Sequence, residues 1–454
     1  MEGRLAKFGR AAHKRRATIV AISICSLAIS GVLIAGGNQF ADGNQPPASI
    51  EAGRALELVS EELPVTSTNT VTYIFTHEDK SWNEPEFKNW VFEAIESLDD
   101  IPLEILSISM AYDDEENPRH LAQHVSADGK RTAIFVQFGG SDHEVEIALD
   151  EIKNSISSEN LEVLVTGSLV INKDFDRLLE QDQLRAEIIG LPISFVILLF
   201  VFGTFTAAVL PMAIVALMLP LAIGLSFYIS GHFPMTQYST SMISLIGIAV
   251  SIDYSLFMIS RFREEIDAGA STEDAIATMM DTAGRAILYS GATVAVGLCS
   301  LFYFTQTHMP SMGMGAFLAV LGALLYSLTI LPALLSYLGP RINSLRVPIP
   351  GANRKSIFWE KFSTRVMKNP VRWLLPAMAV LLLLGSPFLH VQLTAGGIET
   401  LPPDLESRQA IEILEDEFPA FTASVIPLVI VFEEDQDIFS KALSLEISEM
   451  CECI

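Results

Sequence analysis

The chain has 454 residues, 50% of them hydrophobic and 18% charged, with a mean hydropathy of +0.39. That balance excludes a disordered or fibrous protein and argues against an ordinary soluble enzyme. The formal net charge is −25, from 29 Lys+Arg against 54 Asp+Glu, which argues against a nucleic-acid partner because phosphates need a basic surface.

Residues 1–16 carry six basic side chains and one acidic one. The apolar run Ala17–Ala35 follows, and about 20 helical residues suffice to cross a bilayer. With Lys14-Arg15-Arg16 as its basic flank, this run reads as a retained signal anchor, a cleaved signal peptide being the alternative. Residues 36–185 hold ten basic and thirty acidic residues. Within them Val71–His77, Leu103–Met110, Thr132–Phe138 and Leu161–Thr166 have strand character, and Glu84–Leu98 and Asp142–Ser157 have helical spacing. The order β-α-β-β-α-β predicts a ferredoxin-like α+β domain.

Five more apolar runs make a five-helix membrane bundle over residues 186–338: Ile188–Thr206, Ala207–Ile229, Tyr238–Ser260, Ala286–Phe304 and Met312–Leu338. Arg261 and Arg263 mark the end of the fourth span, and Thr272–Met280 reads as an amphipathic helix lying along the membrane surface. Residues 339–372 hold eight basic residues and one acidic. The seventh run, Trp373–His390, precedes residues 391–454, with two basic and fourteen acidic residues. Positive segments at span ends stay in the cytoplasm, so the N-terminus and the 339–372 loop are placed inside, and the two acidic segments outside. The 261–285 loop falls inside by this count without being positive.

Residues 51–64, EAGRALELVSEELP, return at 406–419 as ESRQAIEILEDEFP. The same offset carries the first span onto the seventh and Val71–His77 onto Ile426–Phe432. One unit of span, external domain and five spans is thus followed by the opening of a second, the parallel-repeat logic of many transporters. Residues 391–454 read as the start of a second, incomplete external domain. One strand and one helix cannot bury a core, so this tail is expected to be poorly ordered or to pack on something else.

Asp253 lies inside the fourth span, about two turns from its end. A carboxylate in hydrocarbon costs roughly 2.5–3.5 kcal/mol and is kept where it pairs, faces a wet cavity or titrates. Desolvation raises such a pKa, which makes proton exchange the chemistry to expect, against an Asp that only bonds a neighbouring helix. Tyr254 either donates a hydrogen bond to a carboxylate or packs as an amphipathic core residue. Ser290, Thr293 and Gly297 form a stripe on the fifth span, read as helix-packing residues or as relay neighbours. Neither the four cysteines nor His232 and His308 have partners at metal-ligand spacing. No Walker sequence is present, so no nucleotide cofactor is expected.

The stretches GIAVSIDYSLFMISRFREE (247–265), AGRAILYSGATVAVGL (283–298) and QDQLRAEIIGLPISFVILLFVFGT (181–204) resemble spans of the MMPL family, transporters of the resistance-nodulation-division superfamily. The resemblance implies a polytopic α-helical membrane protein with porter-type extracytoplasmic domains, built as two six-span halves. It implies export of lipids or other hydrophobic compounds, driven by the proton gradient without a cofactor, at the plasma membrane. Asp253 and Tyr254 match the family's proton-relay pair, and a second pair would face them from the tenth span, which lies beyond residue 454. The expected partners are membrane lipids, a hydrophobic substrate, and a second half or a second copy of the chain. No catalytic residues are assigned. A sterol-sensing-like lipid receptor or scaffold without transport, and an inactive truncated product, are the alternatives.

Overall fold

The structure, a computed structural model, describes residues 3–37, 40, 51, 53–55, 69–140, 142–156, 158–305, 307–347, 352–391, 398 and 401–421. The chain divides into two compact units, and the division falls at Asp174–Phe175 inside one long helix. Much of the first repeat copy and the strand expected at Ile426–Phe432 lie outside the described residues.

The first unit is helical. It contains α1 (Arg4–Lys14) and α2 (Arg16–Ala35), separated at Arg15, where φ is −104° and ψ is 23°. The α+β unit supplies β1 (Thr70–Thr76), α3 (Pro85–Glu96), β2 (Ile105–Ser109), α4 (Pro118–His124), β3 (Arg131–Phe138), α5 (Asp142–Ser155) and β4 (Glu162–Thr166). The helical unit resumes in α6 (Ser168–Phe202), α7 (Phe205–Ser230), α8 (Tyr238–Asp267), α9 (Thr272–Met279), α10 (Arg285–Cys299) and α11 (Met309–Leu338). It closes with α12 (Ala352–Lys368) and α13 (Pro370–Gly385), and α14 (Glu406–Glu417) belongs to the α+β unit.

Among the described residues seven helical stretches are long and apolar enough to cross a membrane, in the seven places expected. Two features refine the hydropathy reading, which left the boundary of the second and third spans open over Gly203–Thr206. The turn between the second and third spans sits at Gly203-Thr204, because Gly203 adopts φ +67° and ends α6. The Arg263 guanidinium donates to the last carbonyl of that helix, Phe202 O, at 2.8 Å, and to Asn343 Oδ1 at 2.8 Å. Arg263 therefore ties three chain segments together besides contributing positive charge. The segment Thr272–Met280 is amphipathic, with one side buried on the helical core, and it is continuous with the next helix. α9 runs through a π turn, Met280–Gly284, into α10, and Ile276, Met279 and Met280 are buried in the helical core.

The centre of this unit is α11, packed along α8, α7 and α10. Small residues permit the approach: a Cβ on Gly315 would stand 2.3 Å from the Ser239 carbonyl oxygen, and one on Gly291 2.6 Å from Leu324. α13 buries none of its residues.

In the α+β unit the antiparallel sheet has the order β2-β3-β1-β4, the arrangement of the ferredoxin-like fold. One face, with Val71, Tyr73, Phe75, Ile134 and Val136, is covered by Phe87 and Val91 of α3 and Val145, Leu149 and Ile152 of α5. Alternation along the strands gives the opposite face its own apolar residues, Ile74, Ala133, Phe135 and Leu164. That face is covered by α14 through Ala410, Leu414 and Phe418, which recur every four residues on one helix side. Arg131 pairs with Glu417, and Val165 N–H donates to Glu406 Oε1 at 3.0 Å. Of the segment from residue 391, read as the start of an incomplete domain, α14 packs on the sheet of this unit, one of the two outcomes expected for it. Two apolar faces need two layers of cover, and the repeated helix provides the second.

Candidate functional site

Asp253 and Tyr254 lie in the lower half of α8, on two different sides of it. Leu245, Ala249, Asp253 and Phe257 recur every four residues and form one exposed edge, with Phe257 63% exposed. Asp253 makes no hydrogen bond or ion pair with a described residue. The opposite edge, Ser244, Gly247, Ser251 and Ser255, is buried; a Cβ on Gly247 would meet Met218 of α7 at 2.9 Å and Ala319 of α11 at 3.5 Å. The helix is therefore divided lengthwise into a packed side and an open side, and the carboxylate stands on the open one.

Tyr254 is half-buried against the helical core, with Ser290 of α10 and the Asp253 carboxylate as polar neighbours of its phenol. The structure thus brings together three of the five residues singled out, Asp253, Tyr254 and Ser290. Thr293 is exposed one turn further along α10, and its hydroxyl donates to Tyr289 O of its own helix at 2.9 Å. Gly297 faces open space, where an added Cβ would touch nothing within 4 Å. Neither residue packs a helix in this unit. Glycines at close helix approaches include Gly291, Gly315 and Gly247. The open side continues on α10 with Val296, 73% exposed.

Two further polar features surround the small-residue stripe of Ser244, Gly247, Ser251 and Ser255, whose spacing reads as close helix packing. Gln183 of α6 donates to Ser244 Oγ at 2.8 Å and accepts from Ser241 Oγ at 3.1 Å, crossing from one span to the next. The hydroxyls of Ser251, Ser255 and Ser327 are buried with no hydrogen-bond partner among the described residues. Thr236 and Ser311, which are hydrogen-bonded, are 75 residues apart. On that spacing Ser327 of α11 falls level with Ile252, between the two α8 serines. Each buried unpaired hydroxyl costs about 1–3 kcal/mol. The mid-membrane layer is therefore polar on both sides of α8, a feature visible only once α11 is placed against it.

Among the described residues no group of three or more His, Cys, Asp or Glu is placed to hold a metal ion. His232 lies near Tyr228, and His308 near Tyr238.

Comparison with known proteins gives a consistent picture. The model of the MMPL family matches residues 44–373. The trehalose monomycolate exporter MmpL3 of Mycolicibacterium smegmatis is 34% identical over 288 residues, 57% of this chain and 28% of that protein. The mycolic acid-containing lipids exporter MmpL11 of the same organism is 32% identical over 272 residues, 59% of this chain and 28% of that protein. The putative membrane protein SCO6666 of Streptomyces coelicolor is 30% identical over 319 residues, 69% of this chain and 45% of that protein. The chain spans less than half the length of each of these relatives.

Proposed function

The chain belongs to the MMPL family, and from that premise we propose that it acts as a secondary transporter of the cell membrane, driven by the proton-motive force and exporting lipids or other hydrophobic compounds. The observation that carries this reading is Asp253, a carboxylate within a candidate span, exposed on α8 and unpaired among the described residues, next to Tyr254. The names of two relatives, both lipid exporters, support the substrate class.

In this reading Asp253 is the group that gains and loses the transported proton. Its ionised form is unfavourable in the bilayer by roughly 2.5–3.5 kcal/mol, and protonation removes that cost. Charging and neutralising one residue on the open edge of α8 therefore biases how that edge packs against whatever covers it. Tyr254 orients the exchange, because its ring is fixed in the core while its hydroxyl reaches Ser290. The open edge, with Leu245 and Phe257 exposed beside a carboxylate, is completed by a second set of spans, supplied by the same polypeptide or by another copy. The N-terminus and the 339–372 loop are cytoplasmic, and the acidic α+β unit meets substrate outside.

The test is export in native membranes. In inverted vesicles with an imposed pH gradient, Asp253→Asn is expected to abolish uptake of a fluorescent acyl lipid while the amount of protein in the membrane stays unchanged. Asp253→Glu is expected to keep part of the rate. Uptake by Asp253→Asn at the wild-type rate contradicts the proposal.

A further inference from the structure

α1 is a helix with two unlike sides. Its inner side docks on α9 and the π turn: Ala6 and Ala12 are buried, and a Cβ on Gly9 would stand 2.9 Å from Met280 Cγ. Arg10 secures this side through Asp274 at 2.8 Å and Glu273 at 3.4 Å. At the helix end, His13 Nδ1 and Arg16 both engage Ser336 near the end of α11.

The outer side consists of Arg4, Lys7, Phe8, Ala11, Lys14 and Arg15, all exposed. The spacing of three and four residues puts them in one stripe. Among the described residues none of the four cations has an ion-pair or hydrogen-bond partner, although Arg10 of the same helix has two acidic partners. Phe8, 43% exposed, interrupts the charge with an aromatic ring. The bend at Arg15 separates this helix from α2, whose membrane-crossing run starts at once. A docked helix at the mouth of a span, with cations and an aromatic ring on its free side, matches in charge and polarity the surface of a bilayer carrying negative headgroups.

We propose that the Arg4–Lys7–Lys14–Arg15 face of α1 is a binding surface for anionic phospholipid headgroups in the leaflet next to the start of α2, with Phe8 entering the interface. The inner side already fixes α1 to α9 and α11. Headgroup binding therefore couples the lipid composition of that leaflet to the position of the helices that α1 touches.

The experiment uses the full chain, with its four cysteines replaced by serine and Ala11→Cys carrying a spin label, reconstituted in nanodiscs. Collision with oxygen, which partitions into lipid, is compared with collision with a water-soluble nickel complex. In phosphatidylglycerol discs the oxygen-to-nickel ratio is expected to exceed that in phosphatidylcholine discs by about threefold or more, and 1 M salt is expected to abolish the difference. Arg4→Gln/Lys7→Gln/Lys14→Gln is expected to bring the phosphatidylglycerol ratio down to the phosphatidylcholine value. Equal ratios in the two lipids, or a difference unaffected by both salt and the triple substitution, overturn the proposal. The salt arm needs no substitution in the cationic face, so it stands if the triple variant fails to fold.

Discussion

In the proposed mechanism Asp253 and Tyr254 have different roles because they sit on different sides of α8. Tyr254→Phe keeps the ring in the core and removes only the hydroxyl that faces Ser290. A hydrogen bond between two neutral hydroxyls is worth about 1 kcal/mol, so the proton-driven rate is expected to fall by roughly fivefold, with normal membrane levels. Ser290→Ala is expected to reproduce part of that loss. Thr293→Ala is expected to stay within about twofold of wild type, because its hydroxyl is spent on its own helix. Equal effects of Ser290→Ala and Thr293→Ala, measured as initial rates against the imposed pH gradient, would contradict this division. The place of Asp253 within an apolar span was legible from sequence alone. The roles of the glycines were not. Gly297, Gly291 and Gly315 look alike in a sequence, and only the neighbouring helix decides that Gly315 must lack a Cβ while Gly297 need not.

Among elements, α14 makes the sharpest commitment. Phe418, fully buried on the sheet, is expected on replacement by Ala to cost about 3–5 kcal/mol of the α+β unit's stability and to expose α14 to hydrogen exchange. Exchange in α14 that is the same in both proteins would contradict its place as a structural layer. The same unit carries a pH dependence. His124 is buried at the end of α4, its Nε2 paired with Ser109 Oγ at 2.8 Å. Burial pushes its pKa down to about 4 from the ordinary 6.5; neighbouring His120 lowers it further and Asp113 opposes. Between those values the unfolded chain binds a proton that the folded one refuses. The contribution of neutral His124 is complete above pH 6.5 and is lost as the pH falls towards 4, about 3 kcal/mol in all. His124→Gln is expected to flatten that slope in denaturant titrations; an unchanged slope would remove His124 as its cause. The strands and the paired helices of this unit were readable from alternation and spacing. The repeated segment was readable as a repeat, but a repeat does not say which sheet its helix will cover, and the sheet's second apolar face becomes visible only with the strands in register.

For the whole molecule, the separation of charge is the organising feature. The acidic residues concentrate in 36–185 and 391–454, and the basic ones in 1–16 and 339–372, with seven candidate spans between and around them. This predicts a sidedness that can be read by cysteine labelling in a background without native cysteines. In intact cells a membrane-impermeant thiol reagent is expected to label Glu116→Cys, and to label Lys361→Cys only after permeabilisation. The reverse pattern would invert the topology and with it the proposed direction of export. Span number and charge order needed no three-dimensional information, because hydrophobic length and Lys/Arg bias are local properties. The clamp that Arg263 makes across α6, α8 and the segment after α11 was not foreseeable, since it depends on distant chain segments meeting.

The account stands or falls on proton movement through Asp253. The most direct measurement is the collapse of an imposed pH gradient in proteoliposomes, followed with a trapped pH-sensitive dye, for wild type and for Asp253→Asn at equal reconstituted amounts. The account predicts lipid-dependent proton flux for the wild type and flux at the protein-free background for Asp253→Asn. The same flux from both proteins would contradict it.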